Sequence, residues 1–114
     1  MVRKSENCPR REVNVREGNG CVQIKDLATG EELYHHGRMF AHITVESGRS
    51  IGYHDHVDET EFYYILKGDP VFNDDGAEVV LHPGDICSTG YGKSHGLENR
   101  TAEPVELIAL IVMQ

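Results

Sequence analysis

The chain has 114 residues, of which 39% are hydrophobic and 26% charged, with a formal net charge of -8 at neutral pH; this suits one small globular domain. The acidic balance argues against nucleic acid as the partner, and no apolar run approaches the length of a membrane span. Three cysteines, Cys8, Cys21 and Cys87, lack a CxxC spacing, which argues against a disulfide framework and for a reducing compartment.

Residues 1–12 are polar, with basic pairs at Arg3-Lys4 and Arg10-Arg11. They read as an N-terminal arm, mobile or docked on a partner, ahead of one domain over residues 13–114. The arm lacks the apolar core of a signal peptide, so cytoplasmic residence is expected. The run CVQIKDL alternates, with Val22 and Ile24 on one face and Cys21, Gln23 and Lys25 on the other. Gly18, Gly20 and Thr29-Gly30 mark turns. Residues 38–46 alternate again, with Met39, Ala41, Ile43 and Val45 set against Arg38, Phe40, His42 and Thr44. Next comes the stretch Gly48 to Gly68, with an acidic loop (Asp55, Asp58, Glu59) and a run, EFYYIL, that reads as a strand. A hairpin turn is expected at Asn73-Asp74-Asp75-Gly76, then a strand over Ala77–Leu81 and a turn at Pro83-Gly84. The closing run, PVELIALIVM, is the most apolar in the chain and belongs in the middle of a sheet. No long helical period appears, and short strands punctuated by Gly, Pro, Asn and Asp predict an all-β sandwich or barrel.

The chemistry concentrates in two stretches. His54 and His56 are two residues apart, so on a strand both imidazoles face one point. If the strand opened by Glu61 pairs antiparallel with theirs, that carboxylate returns beside them. Two imidazoles and a carboxylate suit a borderline cation, and His95 in GDICSTGYGKSHGLEN offers a fourth ligand. Glu59 is a competing carboxylate, three residues from His56. Tyr63 shares the strand face of Glu61 and either bonds a ligand or sits as a satisfied core tyrosine. Arg38 and His42 share one face of the preceding strand, where they line the pocket mouth or lie in solvent; an arginine at the mouth would clamp a carboxylate. Tyr63, Arg38 and His42 are thus the candidate catalytic residues. Cys87 reads as a buried, inert thiol, although it also has a position from which to face the site. His35, His36 and His82 match no ligand spacing and read as surface residues. No Ser-His-Asp order and no phosphate-cradling loop supports covalent or nucleotide chemistry.

The two stretches resemble the paired motifs of the cupin family. In the first, Gly48, His54, His56, Glu61 and Gly68 meet every spacing; in the second, Gly84, Gly92, His95 and Asn99 do. Gly90 stands where the family has proline, which bears on the stiffness of the turn before His95. The spacing favours Glu61 over Glu59 as the ligand. The chain is similar to small single-domain, oxalate-decarboxylase-like cupins. That resemblance implies a double-stranded β-helix, or jelly roll, with one divalent transition metal per chain (Mn, Fe, Ni, Co, Cu or Zn) held by His54, His56, Glu61 and His95. It implies a small-molecule ligand and a metal-dependent enzyme of decarboxylase or dioxygenase type, acting on a small carboxylate, sugar or hydroxy acid. The alternative is a non-catalytic binding module in the same pocket. The chain lacks an obvious long lid insertion, so the acid/base partner that the oxalate-processing relatives carry on a flexible loop is not identifiable from the sequence. Phe62, Tyr64 and Leu66 alternate with the pocket-facing residues and need a cover, which predicts a homodimer with the segment before residue 34 in its interface.

Overall fold

The computed structural model describes residues 1–114. Ten strands follow in order: β1 (Arg10–Val13), β2 (Val22–Ala28), β3 (Gly37–Val45), β4 (Ser50–Asp55), β5 (Glu59–Lys67), β6 (Val71–Asp74), β7 (Ala77–Val80), β8 (Ile86–Gly90), β9 (Ser94–Glu98) and β10 (Val105–Met113). They form a six-stranded sheet, β1-β2-β3-β10-β5-β8, and a four-stranded sheet, β4-β9-β6-β7. All pairings are antiparallel. This is the all-β jelly-roll barrel that the sequence predicts.

The core lies between the two sheets. Val22 and Ile24 of β2, Ala41, Ile43 and Val45 of β3, Tyr63 and Ile65 of β5, and Val105, Leu107 and Ala109 of β10 face inward from the larger sheet. Ile51, Phe72 and Leu97 meet them from the smaller one. The alternation seen in β2 and β3 is therefore the burial pattern. The apolar closing run is β10, central between β3 and β5. The β6–β7 hairpin turns at Asp75 (φ 52°) and Gly76 (φ 102°), both left-handed as a two-residue hairpin loop requires.

Two features depart from the local reading. Strand β1 runs across the expected boundary at residue 12, because Arg10 to Val13 pair with Lys25 to Val22, and Cys8 just before it is buried. The second concerns β4 and β5, which do not pair with each other. β4 pairs with β9 and β5 with β10 and β8, so the expected return of Glu61 along a shared ladder is corrected. The chain crosses from one sheet to the other between His56 and Glu59, and Asp58 (φ 60°) takes the left-handed conformation that the tight reversal demands.

Candidate metal centre

His54, on β4, lies opposite His95 of β9 in the strand register. His56 follows β4 directly and is tied to the β8–β9 turn by two backbone bonds, His56 N–H to Lys93 O (3.0 Å) and Gly92 N–H to His56 O (2.8 Å). The smaller sheet thus supplies three imidazoles, whose ring centroids are 4.7–4.8 Å apart. Glu61 reaches them from β5, across the gap between the sheets. Its Oε1 lies 3.1 Å from His56 Nε2 and 3.0 Å from His95 Nε2, and those two nitrogens are 3.0 Å apart. All four ligand atoms fall within 4.8 Å of one another.

These distances fit a metal ion. An ion about 2.1 Å from each donor separates neighbouring octahedral ligands by about 3.0 Å. The tautomers agree. His54 Nδ1–H donates to Gly52 O at 2.6 Å, and His56 Nδ1 is bonded to the Glu59 carboxylate, so Nε2 of each ring keeps a free lone pair for the ion. The cluster of His54, His56, Glu61 and His95 can hold a metal, and its mixed nitrogen and oxygen donors suit a divalent transition ion.

The electrostatics of Glu61 and His54 favour the charge states a metal needs, while His56 is drawn the other way. Burial alone would raise the Glu61 carboxyl, but bonds to His56 and His95 outweigh it and hold its pKa down to about 2. Burial pulls His54 below its usual value, towards the neutral ligand form. Burial also opposes a charged His56, yet its bonds to Glu61 and Glu59 prevail and raise its pKa. Glu59, bonded first of all by Arg38, is lowered to about 2. Its two oxygens accept from Arg38 Nε and Nη2 at 2.7 and 2.8 Å. Glu59 is thus a brace behind His56, not a ligand; its place three residues after His56 was the only sequence signal of that contact.

Tyr63 lies beneath the site. Its ring stacks on His95 at 5.0 Å and 17°, and burial, then the Glu61 charge, pushes its phenol pKa well above the ordinary value. Cys87 packs against the core, with its thiol pushed by burial up to about 12. His35, His36 and His82 are exposed.

His42 is a correction. It points out of the barrel, with Nε2 2.9 Å from Glu106 Oε1 on β10, and lines an outer groove with Arg10, Arg11 and Lys25. The face it shares with Arg38 is the outer one, because Met39, Ala41, Ile43 and Val45 turn inward. Arg38 escapes that parity because it stands at the strand end, beside a bulge at Ile111/Val112, where a long side chain folds over the rim. His42 is four residues further along, about 13 Å at strand rise, and is too short to do so.

Beside His54, His56 and Glu61 is a cavity of about 90 Å³. Arg38 and Tyr63 line it, as does Arg16 from the loop between β1 and β2. Nothing in the local sequence singles out Arg16, since the contact that brings it here spans more than thirty residues.

Comparison with known proteins agrees with this geometry. The family model described as Cupin domain matches residues 41–112. An oxalate-binding protein of Thermotoga maritima is 40% identical over 113 residues, covering 99% of this chain and 93% of its own length. The crystal structure of a predicted oxalate decarboxylase from Thermotoga maritima superposes with a TM-score of 0.95 at 36% identity, covering 100% of both chains. A cupin sugar phosphate isomerase from Silicibacter pomeroyi, 19% identical with a TM-score of 0.78 over 100% of this chain and 76% of its own, shares the fold. With both motifs converging on one buried donor cluster and the match extending over the full length, this chain belongs to the cupin family.

Proposed function

We propose that this cupin holds one divalent transition metal per chain through His54, His56, Glu61 and His95 and binds a small carboxylate directly on the ion. The observation that carries this reading is the set of three donor atoms 3.0–3.1 Å apart, beside a small cavity that Arg16 and Arg38 also line. Four protein ligands leave open positions on an octahedral ion, as a reactive site requires and a structural site does not. A cavity of about 90 Å³ is small for an organic-ligand site, which favours a short-chain acid over a sugar. The near-full-length similarity to a protein named for oxalate binding points the same way.

A bound metal would polarise the carboxylate as a Lewis acid or carry electrons in an oxidative decarboxylation or dioxygenation. Around it, Tyr63 supports the His95 ring and Arg38 fixes Glu59 and, through it, the His56 ring. A non-catalytic binding module is the second reading, and one observation favours it. Besides the ligands, the polar side chains that line the cavity are Arg16, Arg38 and Tyr63, none of which is a general base at neutral pH.

Elemental analysis of chelator-free protein should return about one transition metal per chain. Metal-loaded protein should be thermally stabilised by oxalate or a 2-hydroxy acid through mass action. Consumption of the stabilising acid, dependent on metal, supports the enzyme; binding without consumption under air and under nitrogen supports the module. Metal that cannot be restored by adding Mn, Fe, Co, Ni or Zn would overturn both.

A further inference from the structure

The loop between β1 and β2 carries backbone strain. Arg16 (φ 52°) and Glu17 (φ 58°) are consecutive non-glycine residues in the left-handed region, a conformation that persists only where surrounding contacts impose it and that gathers at ligand sites. The contacts are specific. Gly18 N–H and Gly52 N–H both donate to Val15 O, at 3.1 and 3.0 Å. Asn14 Nδ2 donates to Gly18 O and Gly20 O at 2.8 and 3.0 Å. Asn19 bonds Ser50 Oγ at 2.7 Å and Gly48 O at 2.7 Å. The loop lies so close to β4 that a β-carbon on Gly52 would collide with Arg16 O, and one on Gly18 with Ser50 O. Two glycines therefore let the loop backbone rest on the strand that carries His54.

The result is Arg16 at the mouth of the metal cavity. Arg3, Arg10, Arg11, Arg38, Arg49 and Arg100 each donate to an acceptor within the chain; Arg16 has none. Arg38, its neighbour at the rim, is neutralised by Glu59. Glu61 cancels one charge of a divalent ion, so Arg16 brings the site to two net positive charges, the complement of a dianion. A guanidinium also offers the planar pair of N–H donors that matches a carboxylate.

We infer that Arg16 is the specificity-determining residue of the site: it binds the carboxylate oxygens of the ligand that face away from the metal, and so selects dicarboxylates over monocarboxylates. This rests on the reading of the site as a metal centre for small carboxylates. The test is calorimetric titration of manganese-loaded protein with oxalate and with glycolate, which chelates similarly but has one charge fewer. Arg16→Gln should weaken oxalate about tenfold or more and glycolate by less than about twofold, with metal stoichiometry unchanged. Arg16→Lys should lose less than Arg16→Gln, and Arg49→Gln, beside the same loop, should leave both affinities as they are. Arg16→Asn, which suits the left-handed conformation, should melt no lower than wild type yet lose the preference. Equal losses for the two acids, or none, would overturn the inference while leaving the carboxylate site intact. If wild type binds neither acid, the carboxylate reading falls and this inference with it.

Discussion

Glu59 sits three residues after His56 and two before Glu61, and its carboxylate works from behind the ligand. One oxygen holds the His56 ring and both accept from Arg38. Such outer contacts orient a ligand imidazole and raise its basicity. Glu59→Gln should therefore lower metal affinity about 10- to 100-fold without unfolding the barrel, read by competition with a chelator. An unchanged affinity would show that His56 needs no brace. His95 is less suitable for such a test, because it also packs, with its ring stacked on Tyr63 and 5.6 Å from Phe72. Gly90 is explained at this scale too. A β-carbon there would strike Thr60 Oγ1, so the family's proline is disfavoured in this packing. The turn before His95 is set by Tyr91 (φ 57°) and Gly92 (φ 78°) instead, closed by Lys93 N–H to Gly90 O at 3.1 Å.

Two elements build the cavity from opposite sides: the β4–β9 pair, which carries His54, His56 and His95, and β5, which carries Glu61. The loop between β1 and β2 closes over β4. Gly52→Ala forces that loop away, because the new methyl meets backbone rather than a side chain that can swing aside. It should cost about 1–3 kcal/mol, as overpacking does, and shift the melting temperature down. It should also disturb metal binding, since His54 is two residues away on the same strand. A melting temperature equal to that of wild type would mean that the loop does not rest on β4 in solution.

The outer face of the six-stranded sheet is apolar along its centre. Phe40, Leu110 and Phe62 are aligned across β3, β10 and β5, and Ile108, Tyr64 and Ile86 across β10, β5 and β8. Tyr64 and Leu66 are 45% exposed and Ile86 65%. Patches of this kind on a small barrel mark an interaction surface, and β1 leaves a free sheet edge. We expect a homodimer that covers this face, with the N-terminal segment at its border. Light scattering at micromolar concentration should return twice the chain mass, and Tyr64→Lys should shift the mass toward one chain. A monomeric wild type would contradict the assignment.

Alternation of side chains is a property of extended backbone itself, so the sequence alone determined which residues of β2, β3 and β5 share a face. The same locality, together with motif spacing, marked His54, His56, Glu61 and His95 before any contact between them was known. What only the tertiary structure decided depends on contacts far apart in the chain. Strand partners are one case: a left-handed Asp58 sends β5 to the other sheet, so Glu61 meets the histidines across a gap rather than along a ladder. The sense of a face is another: periodicity put Arg38 and His42 together, but only the packed barrel turned that face outward and let the longer side chain fold back over the rim. Arg16 is the third, since its place at the cavity comes from hydrogen bonds between residues 14–20 and 48–52, and no local pattern encodes a pairing of two loops.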